Sequence, residues 1–95
     1  MSSRFSLRFV SGDHEGEHHE LEGPRVTLGR KPGNSLQIND TSVSGTHAEL
    51  LIDGESVTLR DRNSTNGTKV AGAPIEERAL AHGDEITFGS VRALF

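Results

Sequence analysis

Short runs of alternating apolar and polar residues, broken by Gly, Pro, Asn and Asp, recur along the whole chain. Alternation puts every second side chain on one face, the period of a strand and not of a helix. Phe5, Leu7 and Phe9 interleave with Arg4, Ser6 and Arg8, and Val26 and Leu28 alternate with Arg25 and Thr27. Leu36 and Ile38 flank Gln37, while Ala48, Leu50 and Ile52 alternate with Glu49 and Leu51. Val57 and Leu59 flank Thr58, Ile86 and Phe88 flank Thr87, and Val91, Ala93 and Phe95 close the chain. Turn chemistry separates these runs at Ser11-Gly12-Asp13, Gly23-Pro24, Lys31-Pro32-Gly33-Asn34, Asp53-Gly54, Asn66-Gly67, Ala71-Gly72 and His82-Gly83-Asp84. Many short strands between regularly spaced turns predict an all-β fold, an antiparallel sandwich or barrel. Residues 76–81 have helix-forming composition but span under roughly two turns, too little for an amphipathic helix.

A chain of 95 residues suffices for one small domain, here taken as residues 1–95. With 32% hydrophobic residues, its core must be thin and built mostly from Val, Leu, Ile and the four Phe. The absence of cysteine excludes a disulfide framework and thiolate chemistry, and agrees with an intracellular, cytoplasmic setting. No stretch approaches the roughly 20 apolar residues that span a bilayer, so no membrane association is expected. Met1-Ser2-Ser3-Arg4 leads into an alternating segment and not into a signal-peptide core. Without such a signal, the glycosylation-like triplets at Asn39, Asn63 and Asn66 are coincidental. The chain stops inside an apparent strand at Phe95, as expected of a domain cut from a longer protein.

The net charge of −4 is unevenly placed. Residues 11–22 hold Asp13, Glu15, Glu17, Glu20 and Glu22 with no Lys or Arg. Mildly basic patches lie elsewhere, at Arg25, Arg30 and Lys31 and at Arg60, Arg62 and Lys69. They are too sparse for a nucleic-acid-binding stripe. His14, His18 and His19 sit among the acids, and imidazole with carboxylate suits zinc or copper. Their spacing fits no metal motif, and adjacent His18 and His19 would point to opposite faces of a strand. The expectation is a solvated first hairpin, remote from the basic loops, with no metal and no cofactor.

Three polar clusters sit where apolar runs stop or start: Gly29-Arg30, Ser44-Gly45-Thr46-His47 and Thr65-Asn66-Gly67. They supply a guanidinium, hydroxyls, a side-chain amide and glycine-freed backbone N–H groups, the donors a phosphate monoester needs. Singly, each has an ordinary explanation: a surface Arg closing a strand, a Ser-Gly turn, an Asn-Gly hairpin. Ser44 with His47 invites a hydrolytic reading, but no third residue orients the pair and no G-x-S-x-G elbow is present. Gly29-Arg30-Lys31-Pro32-Gly33 lacks the Gly-Lys-Ser/Thr ending of the nucleotide phosphate loop.

In order and spacing, residues 28–89 resemble the forkhead-associated domain. The matched text is Leu28-Gly29-Arg30, Gly33-Asn34-Ser35-Leu36, Val43-Ser44-Gly45-Thr46-His47-Ala48, Asp61 through Thr68, Gly72, and Gly83-Asp84-Glu85-Ile86-Thr87-Phe88-Gly89. The resemblance implies a β-sandwich with binding loops at one end, serving as a phosphothreonine-peptide-binding module in signalling and not as an enzyme. Its implied partner is a phosphothreonine-bearing kinase substrate. Arg30, Ser44, Thr65 and Asn66 would contact the phosphopeptide, Gly45 through its main-chain N–H. Gly29, His47 and Gly67 would shape the loops, and Asn66 would also serve the turn. The family usually carries Arg or another polar side chain where this chain has Gly45, a contact Lys31 would partly replace. Asn commonly precedes the glycine that here follows Ala71, a departure affecting a turn. Gly45 also keeps open a phosphate-independent docking or assembly domain of the same fold.

Overall fold

The computed structural model describes residues 5–95. Arg4, read above as part of the first alternating run, lies outside the described residues together with positions 1–3. The described chain is all strand: β1 Phe5–Phe9, β2 His18–Leu21, β3 Arg25–Gly29, β4 Leu36–Gln37, β5 Ala48–Asp53 and β6 Ser56–Asp61, then β7 Thr68–Val70, β8 Ala73–Ile75, β9 Glu77–Ala79, β10 Glu85–Phe88 and β11 Val91–Leu94. Two sheets form, a six-stranded one ordered β2-β1-β11-β10-β7-β8 and a five-stranded one ordered β4-β3-β5-β6-β9. Pairing is antiparallel throughout except for the short β3–β4 pair, which is parallel.

Alternation builds the core between the sheets. Leu7, Phe9, Val70, Ile86, Phe88, Val91 and Ala93 come from one sheet, and Val26, Leu28, Ala48, Leu50, Val57 and Leu59 from the other. Burying one side chain of this kind contributes about 1.5–3 kcal/mol, so the inward face fixes the register of each strand. Ile38 and Val43 extend the core beneath the loop between β4 and β5, anchoring it from below.

Four strands had no alternation to announce them. Of β2, only Leu21 is buried; the strand is held by its pairing with β1 from Phe5↔Leu21 to Arg8↔His18. β7 is three residues long, and β8 contains Pro74 and lies at a sheet edge, where a missing N–H is harmless. Residues 76–81, helix-formers by composition, contain β9. There, pairing with β6 overrides propensity, aided by the cross-strand approach of Arg60 to Glu77 at 3.6 Å.

The acidic segment forms the β1–β2 hairpin as expected, but it is not remote from the loops. Glu17 accepts from His14 Nδ1 at 3.1 Å and from His19 Nε2 at 2.9 Å. The backbone N–H of Asn39 donates to His14 Nε2 at 2.9 Å, so the hairpin abuts the loop between β4 and β5.

Candidate functional site

Three loops meet at one end of the sandwich: residues 30–35 after β3, 38–47 between β4 and β5, and 62–67 between β6 and β7. The first two continue the β3–β5 pairing beyond the sheet. Arg30 N–H donates to the Ser44 carbonyl at 3.0 Å and Lys31 N–H to the Gly45 carbonyl at 3.1 Å. This approach is why position 29 is glycine: a Cβ there would stand 2.2 Å from the Gly45 carbonyl oxygen. The Asn34 amide donates to the carbonyls of Lys31 at 2.9 Å and Gly45 at 2.7 Å, closing the turn against the second loop.

Ser44 connects the second loop to the third, its hydroxyl oxygen accepting the Thr65 N–H at 2.9 Å. Beside it, the Asn66 amide donates to the Ser42 carbonyl at 2.8 Å. Ser42 is itself fixed, its hydroxyl donating to Asp40 at 2.6 Å and accepting the Ser90 N–H at 2.9 Å. The Ser42 hydroxyl and the Ser42 backbone N–H, both donating to the Asp40 carboxylate, hold its pKa below the usual range. Arg30 Nε donates to the Val43 carbonyl at 3.1 Å, which fixes the near end of the guanidinium.

His47 is fully buried just before β5. Its Nδ1 accepts the Ser44 backbone N–H at 3.0 Å, and its Nε2–H donates to the Gly67 carbonyl at 2.8 Å. The ring meets Phe88 edge-on at 6.0 Å. One imidazole thus ties two loops to the core, and the pairing specifies the neutral tautomer. Burial lowers its pKa, outweighing the opposing Gly67 hydrogen bond and the Asp61 charge. The Ser44 hydroxyl is not on the ring, so no Ser-His proton relay exists.

Asp61 shapes the third loop. Its carboxylate accepts from the Ser64 hydroxyl, from the Thr68 hydroxyl at 2.7 Å and from the Ser64 N–H at 3.1 Å. Burial opposes the charge, but these hydrogen bonds outweigh it and hold the Asp61 pKa low. Gly67, at φ 84°, lets the chain turn back into β7.

Arg30, Lys31, Thr65 and Asn66 are exposed, while Ser44 and Gly45 are half-buried. The structure thus brings all six predicted contact residues to one loop surface. Among the described residues, the Arg30 Nη groups, the Lys31 ammonium and the Thr65 hydroxyl have no protein partner. The stem of Lys31 lies over Gly45, where a Cβ would meet its carbons at 2.9–3.2 Å, so Lys31 occupies the space of the absent side chain.

Sequence reasoning gave no role to Asn34, Ser42, Asp61 or Ser64, which hold the loops in place. Asp and Ser three residues apart in a turn, as Asp61 and Ser64 are, is a spacing that signals side-chain-to-backbone bonding. It also missed Glu49, buried on the outer face of β5 beneath Arg25 at 2.7 Å and Arg62 at 3.1 Å.

The sequence model for the FHA domain matches residues 26–89. The FHA domain-containing protein FhaA of Mycobacterium tuberculosis is 40% identical over 88 residues, covering 93% of this chain and 17% of that protein. The glycogen accumulation regulator GarA of Mycolicibacterium smegmatis is 34% identical over 84 residues, covering 88% of this chain and 53% of that protein. The chain therefore spans about half, or less, of the length of these relatives. A solved structure from a structural and functional study of phosphothreonine-dependent FHA domain interactions superposes with a TM-score of 0.87 at 36% identity, covering 94% of this chain and 91% of that one. No helix among the described residues is long and apolar enough to cross a membrane.

Proposed function

The chain belongs to the FHA domain family, and from that membership we propose that it binds phosphothreonine peptides through the loops at residues 30–35, 42–47 and 62–67. The observation that carries this is the clamp between Ser44 and Thr65, with the Arg30 guanidinium beside it held by Val43. Because the Ser44 oxygen accepts the Thr65 N–H, its own proton is left to donate. A phosphate monoester carries about −1.5 to −2 charge and three acceptor oxygens. Arg30 offers two Nη groups in a planar fork, Ser44 and Thr65 offer hydroxyls, Gly45 offers its backbone N–H, and Lys31 adds a point charge. With its amide N–H on Ser42, Asn66 keeps its oxygen to accept from an extended peptide backbone.

Charge-assisted hydrogen bonds contribute on the order of 1.5–3 kcal/mol each, offset by ordering of the peptide. A micromolar Kd, about −8 kcal/mol, is the expected result. The role proposed is binding without catalysis, supported by a His47 whose two nitrogens are both engaged by backbone groups. It implies an intracellular setting with a kinase substrate as partner, residues 1–95 acting as one unit. The test is a degenerate phosphothreonine peptide library compared with its unphosphorylated and phosphoserine counterparts. Equal binding of all three would overturn the proposal in favour of a phosphate-independent docking domain, the alternative that Gly45 leaves open.

A further inference from the structure

Where the outer face of the five-stranded sheet meets the three binding loops, an open groove is walled by Arg25 of β3 and by Lys31, Asn34, Thr46 and Arg62 of the loops. Two of its three cations are fixed by one acid. Arg25, at the start of β3, and Arg62, just beyond β6, both bond Glu49 from the middle sheet strand. The Glu49 side chain is 3% exposed, whereas Arg25 and Arg62 are 51% and 43% exposed. Arg25 spends only Nε on this contact and Arg62 only Nη1, so each guanidinium keeps further donors for the groove. Lys31 completes the wall, its stem laid across Gly45.

Two of the cations, Arg25 and Arg62, thus share a single buried carboxylate, and Lys31 lies on the same groove. The chain as a whole is acidic at −4, yet no other acid borders this groove among the described residues. One guanidinium balances Glu49; the second, with Lys31, leaves the groove wall net positive. Held by Glu49, the guanidiniums lose little side-chain entropy on meeting a ligand.

We infer that this groove is a second anion subsite, taking a carboxylate or a further phosphate carried by the same peptide that sets its phosphothreonine against Arg30 and Ser44. The inference rests on the phosphopeptide proposal above. The ligand class is thus a phosphothreonine peptide with an acidic residue, or a second phosphorylated residue, near the first.

The test uses one phosphothreonine peptide with neutral flanks. Glu and then phosphoserine are scanned through each position within about six residues on either side, roughly 20 Å of extended chain. Calorimetry at low salt is expected to show Glu tightening binding by about 3–10-fold at one or two positions, phosphoserine more so, and the gain shrinking in high salt. In Arg25→Gln, the ratio between acidic and neutral peptides should fall close to one. If that variant does not fold, the wild-type protein still decides. The acidic peptide must shift the Arg25 and Arg62 side-chain Nε–H resonances more than the neutral peptide does. No gain at any position, or a gain that survives in folded Arg25→Gln, overturns the subsite while leaving the phosphothreonine site standing. A neutral phosphopeptide that binds no better than its unphosphorylated form overturns both.

Discussion

Replacing His47 by alanine should be the most damaging single change near the binding loops. The side chain is fully buried and makes two hydrogen bonds, with Ser44 N–H and Gly67 C=O, together with the edge contact to Phe88. Each bond is worth about 1 kcal/mol, and truncating a buried ring adds a packing loss of about 1–3 kcal/mol. The sum, about 3–5 kcal/mol, is a large share of the roughly 5–14 kcal/mol expected for a domain of this length. At about 4–8 °C per kcal/mol, the melting temperature should fall by roughly 12–40 °C. The chain has no Trp or Tyr, so urea unfolding is best followed by far-UV circular dichroism, reading Cm at constant m. The pH dependence supplies a second arm. Burial lowers the His47 pKa from its ordinary 6.5, so the folded state favours the neutral ring. That stability is complete above pH 6.5 and drains away as pH falls toward the lowered folded value, because the unfolded chain takes up the proton first. His47→Gln should flatten this part of the profile. A loss below about 1 kcal/mol in His47→Ala, or an unchanged profile in His47→Gln, would refute the assignment of the ring to holding the loops together.

Arg30→Ala should weaken phosphopeptide binding at least about 100-fold while lowering the melting temperature by no more than about 5 °C, since one bond to Val43 is lost; unfolding of this variant would place the side chain in the scaffold instead. Gly29→Ala puts a Cβ 2.2 Å from the Gly45 carbonyl oxygen, backbone that cannot swing aside, and should cost about 2–3 kcal/mol by denaturation. Glu49→Gln should cost about 1–2 kcal/mol at neutral pH, a value held down by the half-exposed guanidiniums. Burial opposes the Glu49 charge, but Arg25 and Arg62 outweigh it and lower its pKa, so this stability is present above pH 4.5 and lost as pH falls through the folded value; the acid limb of the variant should be shallower. Ala71 stands at φ 51° beside Gly72 at φ 81°, in the two-residue turn between β7 and β8. Ala71→Asn should therefore stabilise by about 0.5–1 kcal/mol, seen as a higher melting temperature; a decrease would mean the turn is not the source of strain.

The inward faces of β1, β3, β5, β6, β10 and β11 were legible in the sequence because each buries two or more alternating apolar side chains. β9 was illegible because Glu77, Arg78 and Ala79 are all exposed, and only the partner strand defines them as a strand. Glu49 reads as an outward polar residue by alternation, and its burial depends on two arginines, 24 residues before it and 13 after it, folding over it. No local pattern encodes that. The opposite holds for the loops. Arg30, Ser44, Thr65 and Asn66 stand out in the sequence as donors, but the loops that carry them are held by Asn34, Ser42 and Asp61, whose side chains bond the Gly45 carbonyl and the Ser90 and Ser64 N–H groups. The hairpin tip is unforeseen for a related reason: its contact with Asn39 consists of two hydrogen bonds, to His14 and to Asp13, between segments with no shared period.

These bonds form a continuous chain that bears on affinity. Asn34 holds Gly45, His47 joins Ser44 to Gly67, Ser44 holds Thr65, and Asn66 holds Ser42, so the three loops share one set of constraints. A ligand arriving at this surface meets donors whose backbone is already fixed, and immobilising a rotamer-rich side chain at an interface otherwise costs about 0.5–1.5 kcal/mol. Only Arg30 beyond Nε, Lys31 beyond its stem and the Thr65 hydroxyl still have freedom to lose. Gly45 fits the same logic. A side chain there would displace the Lys31 stem, so one residue cannot supply a contact without the other giving up its place. Gly45→Arg should therefore gain less phosphopeptide affinity than an added guanidinium suggests. Gly45→Arg combined with Lys31→Ala should recover the difference, and a double variant no tighter than the single one would show that Lys31 and position 45 do not compete.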